Sequence, residues 1–190
     1  MIQVIKATKD DGASIVKYDS LGVCVYNSPF VGITRGYGEF MDYHKPEPFA
    51  EWVAYQPHDV VVDYGSLIKS IESCPGSLFQ LSLSNDSYGS HGFLFRNRRR
   101  GWHRVPFVEI MMPVFRRDFY NVVAPYMKES KSGWGLDHLW THLYGEQPWL
   151  CCDYEMTHSD PITSHQWIID GKTPMDEMEE IRIKYSLPRY

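Results

Sequence analysis

The sequence predicts an α/β layer fold, a mixed sheet flanked by helices. Three observations carry that prediction. Short apolar runs of strand length recur along the chain, stretches of helical spacing fall between them, and turn residues punctuate the joins. At 190 residues the chain is long enough for one good core and short for two, so residues 1–190 read as a single domain. Apolar residues make up 43% and charged residues 23%, which places the chain among globular rather than disordered sequences.

The elements follow in order. Ile2–Ala7 reads as a first strand, running into the turn-rich stretch Thr8 to Gly12. Gly22–Tyr26 is a second strand. The Gly- and Pro-rich stretch Asn27 to Pro48 reads as a loop, with Arg35-Gly36-Tyr37-Gly38 as a turn. Trp52–Tyr55 is a third strand that leads through Gln56-Pro57-His58-Asp59 into Val60-Val61-Val62. Ser66–Ser73 is a short helix opened by Asp63-Tyr64-Gly65 and closed before Pro75-Gly76, and Leu78–Leu83 alternates as a strand.

Phe93-Leu94-Phe95 and Val105–Phe107 flank the basic turn Arg96 to Arg104, which predicts a hairpin. Val108–Val114 is an apolar strand interrupted by Glu109. Phe119, Val122, Val123, Tyr126 and Met127 follow helical spacing, with Pro125 as the break. Leu136, Leu139, Trp140 and Leu143 share one face of a further helix behind Gly133-Trp134-Gly135, and Leu150–Tyr154 is the last strand. Thr173-Pro174 opens the clearest helix: an N-cap, a proline at the first position, and Asp176 and Glu177 in the first turn. Met175, Met178, Ile181 and Tyr185 are its expected buried stripe.

Charge and composition exclude several classes. A net charge of −5 argues against a generally nucleic-acid-coating protein, so any polyanion site is a local patch. No apolar run reaches transmembrane length, and the first residues lack a signal-peptide pattern. Cys24, Cys74, Cys151 and Cys152 show no CxxC spacing and read as reduced thiols. The expectation is a cytoplasmic protein without a membrane span.

Several residues stand out chemically. Asp59 directly follows a strand, where ligands of open α/β sheets gather, and a carboxylate there can hold a hard divalent cation against a diphosphate. His58 suits a softer cation such as manganese. The plainer role for Asp59 is a turn cap. Asp137 falls in the first turn of a helix, as a general base for a hydroxyl or as a simple cap. Glu109 interrupts an apolar run, so it is either an inward carboxyl with a purpose or a residue that alternates to solvent. Asp153 and His158 flank a strand end in a spacing open to metal or phosphate. His138 and His142 read as surface residues, because no glutamate sits between them in a zinc arrangement. The run Arg96 to Arg104 holds five arginines with Trp102, fit for phosphates and a stacked base, or for a solvated hairpin tip.

These segments occur in one order. Phe79-Gln80-Leu81 is followed by Ser87 to His91, then by Pro106 to Phe115 with its Val108-Glu109-Ile110-Met111 block. Ser132-Gly133-Trp134-Gly135-Leu136-Asp137 comes next, then Asp153 to His158 and Pro161. In this the chain resembles a bacterial and plant domain-of-unknown-function family of glycosyltransferase-A-like proteins. Its plant members are labelled lysine-ketoglutarate reductase trans-splicing related. The resemblance spans Trp52 to Pro188.

The resemblance implies a compact glycosyltransferase-A-like fold with a reduced donor-nucleotide half over residues 1–62. The acceptor-side half and C-terminal helix would then occupy 63–190. It implies a nucleoside-diphosphate sugar donor, a hydroxyl acceptor, and Mn2+ or Mg2+ held by Asp59, His58 and His158. Only the last acid of the family's metal-binding triplet stands here, in Pro57-His58-Asp59. Asp137 is the expected base, and Glu109 orients it or the sugar, with Asp153 and His91 in support. Thr8, Lys9, Asp11 and Arg35 are expected at the nucleotide. Arg98, Arg99, Arg100, Trp102 and Trp134 are expected at the acceptor, whether a phosphorylated glycan or DNA with hydroxylated bases. The alternative is a non-catalytic sugar, nucleotide or nucleic-acid binder on an eroded glycosyltransferase fold.

Overall fold

A computed structural model describes residues 1–8, 14–18, 22–29, 36–161 and 168–189. Strands are β1 (Ile2–Thr8), β2 (Ser14–Tyr18), β3 (Val23–Pro29), β4 (Trp52–Gln56), β5 (Val60–Val62), β6 (Leu78–Leu83), β7 (Trp102–Arg104), β8 (Val114–Arg116) and β9 (Trp149–His158). Helices are α1 (Tyr37–Tyr43), α2 (Tyr64–Ser73), α3 (Arg117–Val123), α4 (Leu136–Tyr144) and α5 (Pro174–Lys184). The strands form one nine-stranded mixed sheet in the order β2-β3-β1-β4-β8-β6-β9-β5, with β7 paired to β9. This is the mixed sheet flanked by helices that the sequence predicts.

The topology decides where the chemistry sits. β1 runs parallel to β3 and β4, and β6 runs parallel to β9. β8 lies antiparallel between β4 and β6, so β1, β3, β4, β6 and β9 all point the same way. Their carboxyl ends therefore form one edge, carrying Thr8, Asp59, Ser84 and His158. Backbone bonds stitch that edge together: Ser159 N–H to the Asp59 carbonyl (2.8 Å) and Tyr88 N–H to the His158 carbonyl (3.0 Å).

β6 departs from simple alternation. All six of its residues are buried, Gln80 and Ser82 included, because the strand is covered on both faces. Gln80 uses its burial: its Oε1 accepts the Glu109 backbone N–H at 2.8 Å.

Several expectations require correction. The expected Val108–Val114 strand is a buried, irregular crossing that becomes extended only at β8. The segment is apolar because it is covered, not because it is paired. The expected hairpin around the arginines does not form: β7 pairs with β9 instead, Trp102 opposite Cys151. The last strand is longer than expected, ten residues to His158.

The loop expected from Asn27 to Pro48 contains α1. Its glycines are there for close packing. A Cβ on Gly38 would lie 1.9 Å from the Ser130 carbonyl oxygen, and one on Gly36 would lie 2.2 Å from that of Lys131. On α5, Met175 is exposed, and the buried positions are Pro174, Glu177 and Ile181. The capping box of Thr173 and Asp176 forms as the sequence implies.

Candidate functional site

One cavity of about 220 Å³ opens at the carboxyl edge of the sheet. Four sources build it: the ends of β4 and β9, the start of α1, the crossing around Glu109, and the start of α4. Among the predicted residues it brings together His58, Asp59, His91, Glu109, Trp134, Asp137 and His158. Tyr37, Ser90, Ser132 and His138 also line it. A second hollow of about 280 Å³ adjoins it over Lys6, Ala7, Thr8, Ser159 and Asp160, sharing His58 and Asp59 with the first.

Asp59 and His158 make the first wall. His158 places Nδ1 2.7 Å from the Tyr88 carbonyl and Nε2 3.1 Å from Asp59 Oδ2. A carbonyl only accepts, so Nδ1 carries a proton. Burial works against the His158 cation, but the Asp59 hydrogen bond, the Tyr88 carbonyl and the Asp59 and Glu109 charges raise its pKa on balance. Burial likewise pushes the Asp59 carboxyl up, and His158 and His58 more than reverse this, so it sits below its ordinary value. Each group thus favours the charged form of the other, a cationic imidazole beside a carboxylate.

The same geometry suits a cation. Asp59 Oδ1 is buried and has no hydrogen-bond partner among the described residues. The Tyr88 carbonyl fixes the His158 tautomer, the usual means of presenting the other ring nitrogen as a ligand. His58, Asp59 and Asp160 also bring ligand atoms within 4.8 Å of one another. Asp160 was not anticipated; its signal was its place two residues beyond the strand-ending His158.

Glu109 and Asp137 line the same cavity. Glu109 is 6% exposed, and its Oε2 is buried without a partner among the described residues. Burial, then the nearby Asp137 charge, pushes its carboxyl up to about 8, with His158 pulling the other way. His91 Nε2 lies 3.5 Å from Glu109 Oε1. Asp137 stands on the first turn of α4, where its Oδ1 accepts the His138 N–H at 2.9 Å. Burial raises its pKa, against the pull of His138, that backbone bond and His91. His138 is therefore not the surface residue expected: its side chain is 18% exposed and stacks near Phe107, ring centroids 4.5 Å apart. His142 is exposed, as expected.

Solved proteins similar in structure to the chain include two of low sequence identity. One is a glycosyltransferase involved in the glycosylation of the major capsid of PBCV-1, at 10% identity and a TM-score of 0.45, covering 96% of this chain and 98% of that one. The other is A197 from STIV, at 9% identity and a TM-score of 0.40, covering 92% and 91%. No protein-family model matches the sequence, and no curated protein matches it.

The loop 130–133 holds the Trp134–Asp137 corner in place, and a residue not anticipated for the site anchors that loop. The buried Glu177 carboxylate on α5 accepts from Ser130 Oγ (2.9 Å), Lys131 N (3.1 Å), Ser132 N (2.8 Å) and Ser132 Oγ (2.6 Å). Gly135, at φ 86°, then turns the chain into α4 through a conformation that favours glycine.

Other predicted residues lie elsewhere. Asp153 does not reach the cavity. It is exposed, sits where the β6–β9 register shifts, and accepts the Gly101 N–H at 3.0 Å. Trp102 packs edge-on against Phe79, centroids 5.2 Å apart, and points its N–H at Ser73 Oγ. Arg99 donates to the Phe93, Phe95 and Arg96 carbonyls, so it closes its own turn. Arg98 and Arg100 are exposed on that turn, beside β9 and outside the cavity lining. Of the five acceptor residues expected, Trp134 alone lines the cavity. Thr8 lines the adjoining hollow. Lys9, Asp11 and Arg35 lie outside the described residues. Among the described residues no helix is long and apolar enough to cross a membrane.

Proposed function

We propose that this cavity moves a sugar from a nucleoside-diphosphate sugar to a hydroxyl acceptor, assisted by a divalent cation. The observation that carries the reading is one cavity lined by two kinds of acid. Asp59 is held anionic beside His158, while Asp137 is held at raised basicity at a helix start. The resemblance over Trp52 to Pro188 supports the same assignment, glycosyltransferase-A-like fold included.

Asp137 accepts the acceptor's hydroxyl proton as that oxygen bonds to the anomeric carbon. The bond from that carbon to the diphosphate oxygen breaks, and its electron pair leaves with the diphosphate. Asp59 and His158, with His58 and Asp160 in reach, would hold Mn2+ or Mg2+, which when bound supplies positive charge for the leaving diphosphate. Burial around Glu109 and Trp134 excludes water, which would otherwise take the acceptor's place. The hollow over Lys6 to Thr8 is the place for the nucleotide side of the donor.

The test is release of nucleoside diphosphate from a panel of sugar donors with manganese and with excess chelator. Turnover that chelator removes supports the reading. Donor binding without turnover, across acceptors, would leave the binding-protein alternative in its place.

A further inference from the structure

Besides Asp59 Oδ1, two buried polar groups line the cavity without partners among the described residues, from elements far apart in sequence. One is Glu109 Oε2, on a side chain 7% exposed, in the crossing that Gln80 pins to the middle of β6. The other is the Tyr37 hydroxyl, on a residue 7% exposed, at the first position of α1. Partnerless buried polar atoms are costly and rare. Two that line the same 220 Å³ cavity mark a place where a ligand completes the hydrogen bonding. Ile110, Met111, Trp134 and Met178 add apolar surface to the same cavity.

Resting on the transferase reading, we propose that Tyr37 and Glu109 form the seat of a neutral, hydroxyl-bearing sugar ring, each donating a hydrogen bond to it. A cavity of this size is below the usual range for a whole drug-sized ligand, so it takes one ring rather than a complete nucleotide sugar. Burial, and then the Asp59 charge, keep the Tyr37 hydroxyl protonated, and burial with the Asp137 charge does the same for Glu109. Both groups are therefore donors. An uncharged hydroxyl matches them, and Trp134 lines the same cavity. A ring bearing a carboxylate would meet the Asp59 and Asp137 charges, so a uronic acid is disfavoured.

The experiment is calorimetric titration, in manganese, of UDP, GDP, UDP-glucose, GDP-mannose and UDP-glucuronate. For the nucleotide that binds, the neutral sugar is expected to tighten binding about tenfold, from one or two good hydrogen bonds. UDP-glucuronate should show no such gain over UDP. Tyr37→Phe and Glu109→Ala should erase the sugar increment and leave nucleotide affinity unchanged. Glu109→Gln should keep most of it, because the carboxamide still donates. Loss of the increment in Glu109→Gln as complete as in Glu109→Ala would overturn the proposal. So would equal binding of glucuronate and glucose donors, or nucleotide binding with no gain from any sugar. Failure of both nucleotides to bind would remove the transferase reading itself, and this inference with it.

Discussion

Glu109 and Asp137 are both acids in one cavity, yet their surroundings fit them to different tasks. Asp137 keeps a backbone N–H on its carboxylate, which favours the anion, whereas Glu109 Oε2 has no partner among the described residues. Asp137→Asn should reduce turnover by about 10²–10⁴-fold, the usual contribution of a general base, with a melting temperature close to wild type because Asn suits a helix start. Near-native turnover would leave Asp137 as a cap only. Glu109 gives a pH signature. Its carboxyl titrates at about 8 when folded and at the ordinary 4.5 when unfolded. Between those values the folded chain holds a proton that the unfolded chain has lost, so stability falls as pH rises across the window. The loss is roughly 5 kcal/mol at most, at 1.36 kcal/mol per unit. Denaturation midpoints from about pH 5 to 8 should fall in wild type and stay flatter in Glu109→Gln.

Most of these residues were legible in the sequence for local reasons: an acid after a strand, an acid at a helix start, an acid inside an apolar run. Tyr37 was not, because Gly36-Tyr37-Gly38 has the composition of a turn. Its glycines answer to the Ser130 and Lys131 carbonyls, which are distant in sequence.

At the scale of elements, α1 and the loop 130–133 depend on each other. Gly38→Ala would drive its Cβ into the Ser130 carbonyl, which is backbone and cannot swing away. On the other side, Glu177 holds the loop through four hydrogen bonds. Glu177→Ala should cost roughly 3 kcal/mol by stranding those donors, and it should lower activity by releasing Trp134 and Asp137. Chemical denaturation and turnover on one preparation check both. Glu177 was read as a first-turn acid and Met175 as core, since helical spacing alone does not say which face meets the sheet. The arginine turn divides similarly. Arg99→Ala should destabilise by about 1–3 kcal/mol through three stranded carbonyls. Changing Arg98 and Arg100 together should stay within about 0.5 kcal/mol. Equal effects would contradict the assignment of Arg99 as the pin.

Across the whole molecule, the site exists because five strands end at one edge. The α/β layering was legible from the alternation of elements. The insertion of β8 between β4 and β6 was not: β8 has three residues, and its apolar neighbours look just as strand-like. Nor was β2, whose residues lie between turn-rich stretches. That insertion matters, since it sets β4 and β6 apart, and the Glu109 crossing that leads into β8 lines the cavity with Asp59 and Asp137. Net charge, at −5, places no general attraction for polyanions on the surface, and the arginine turn stands away from the cavity. The most direct measurement is a crystal structure with manganese and a nucleoside-diphosphate sugar, read by the metal's anomalous scattering. The account predicts a metal peak bonded to Asp59 and His158, the diphosphate over Lys6 to Thr8, and the sugar between Trp134, Tyr37 and Glu109. A metal or donor bound elsewhere, with this cavity holding only water, would contradict it.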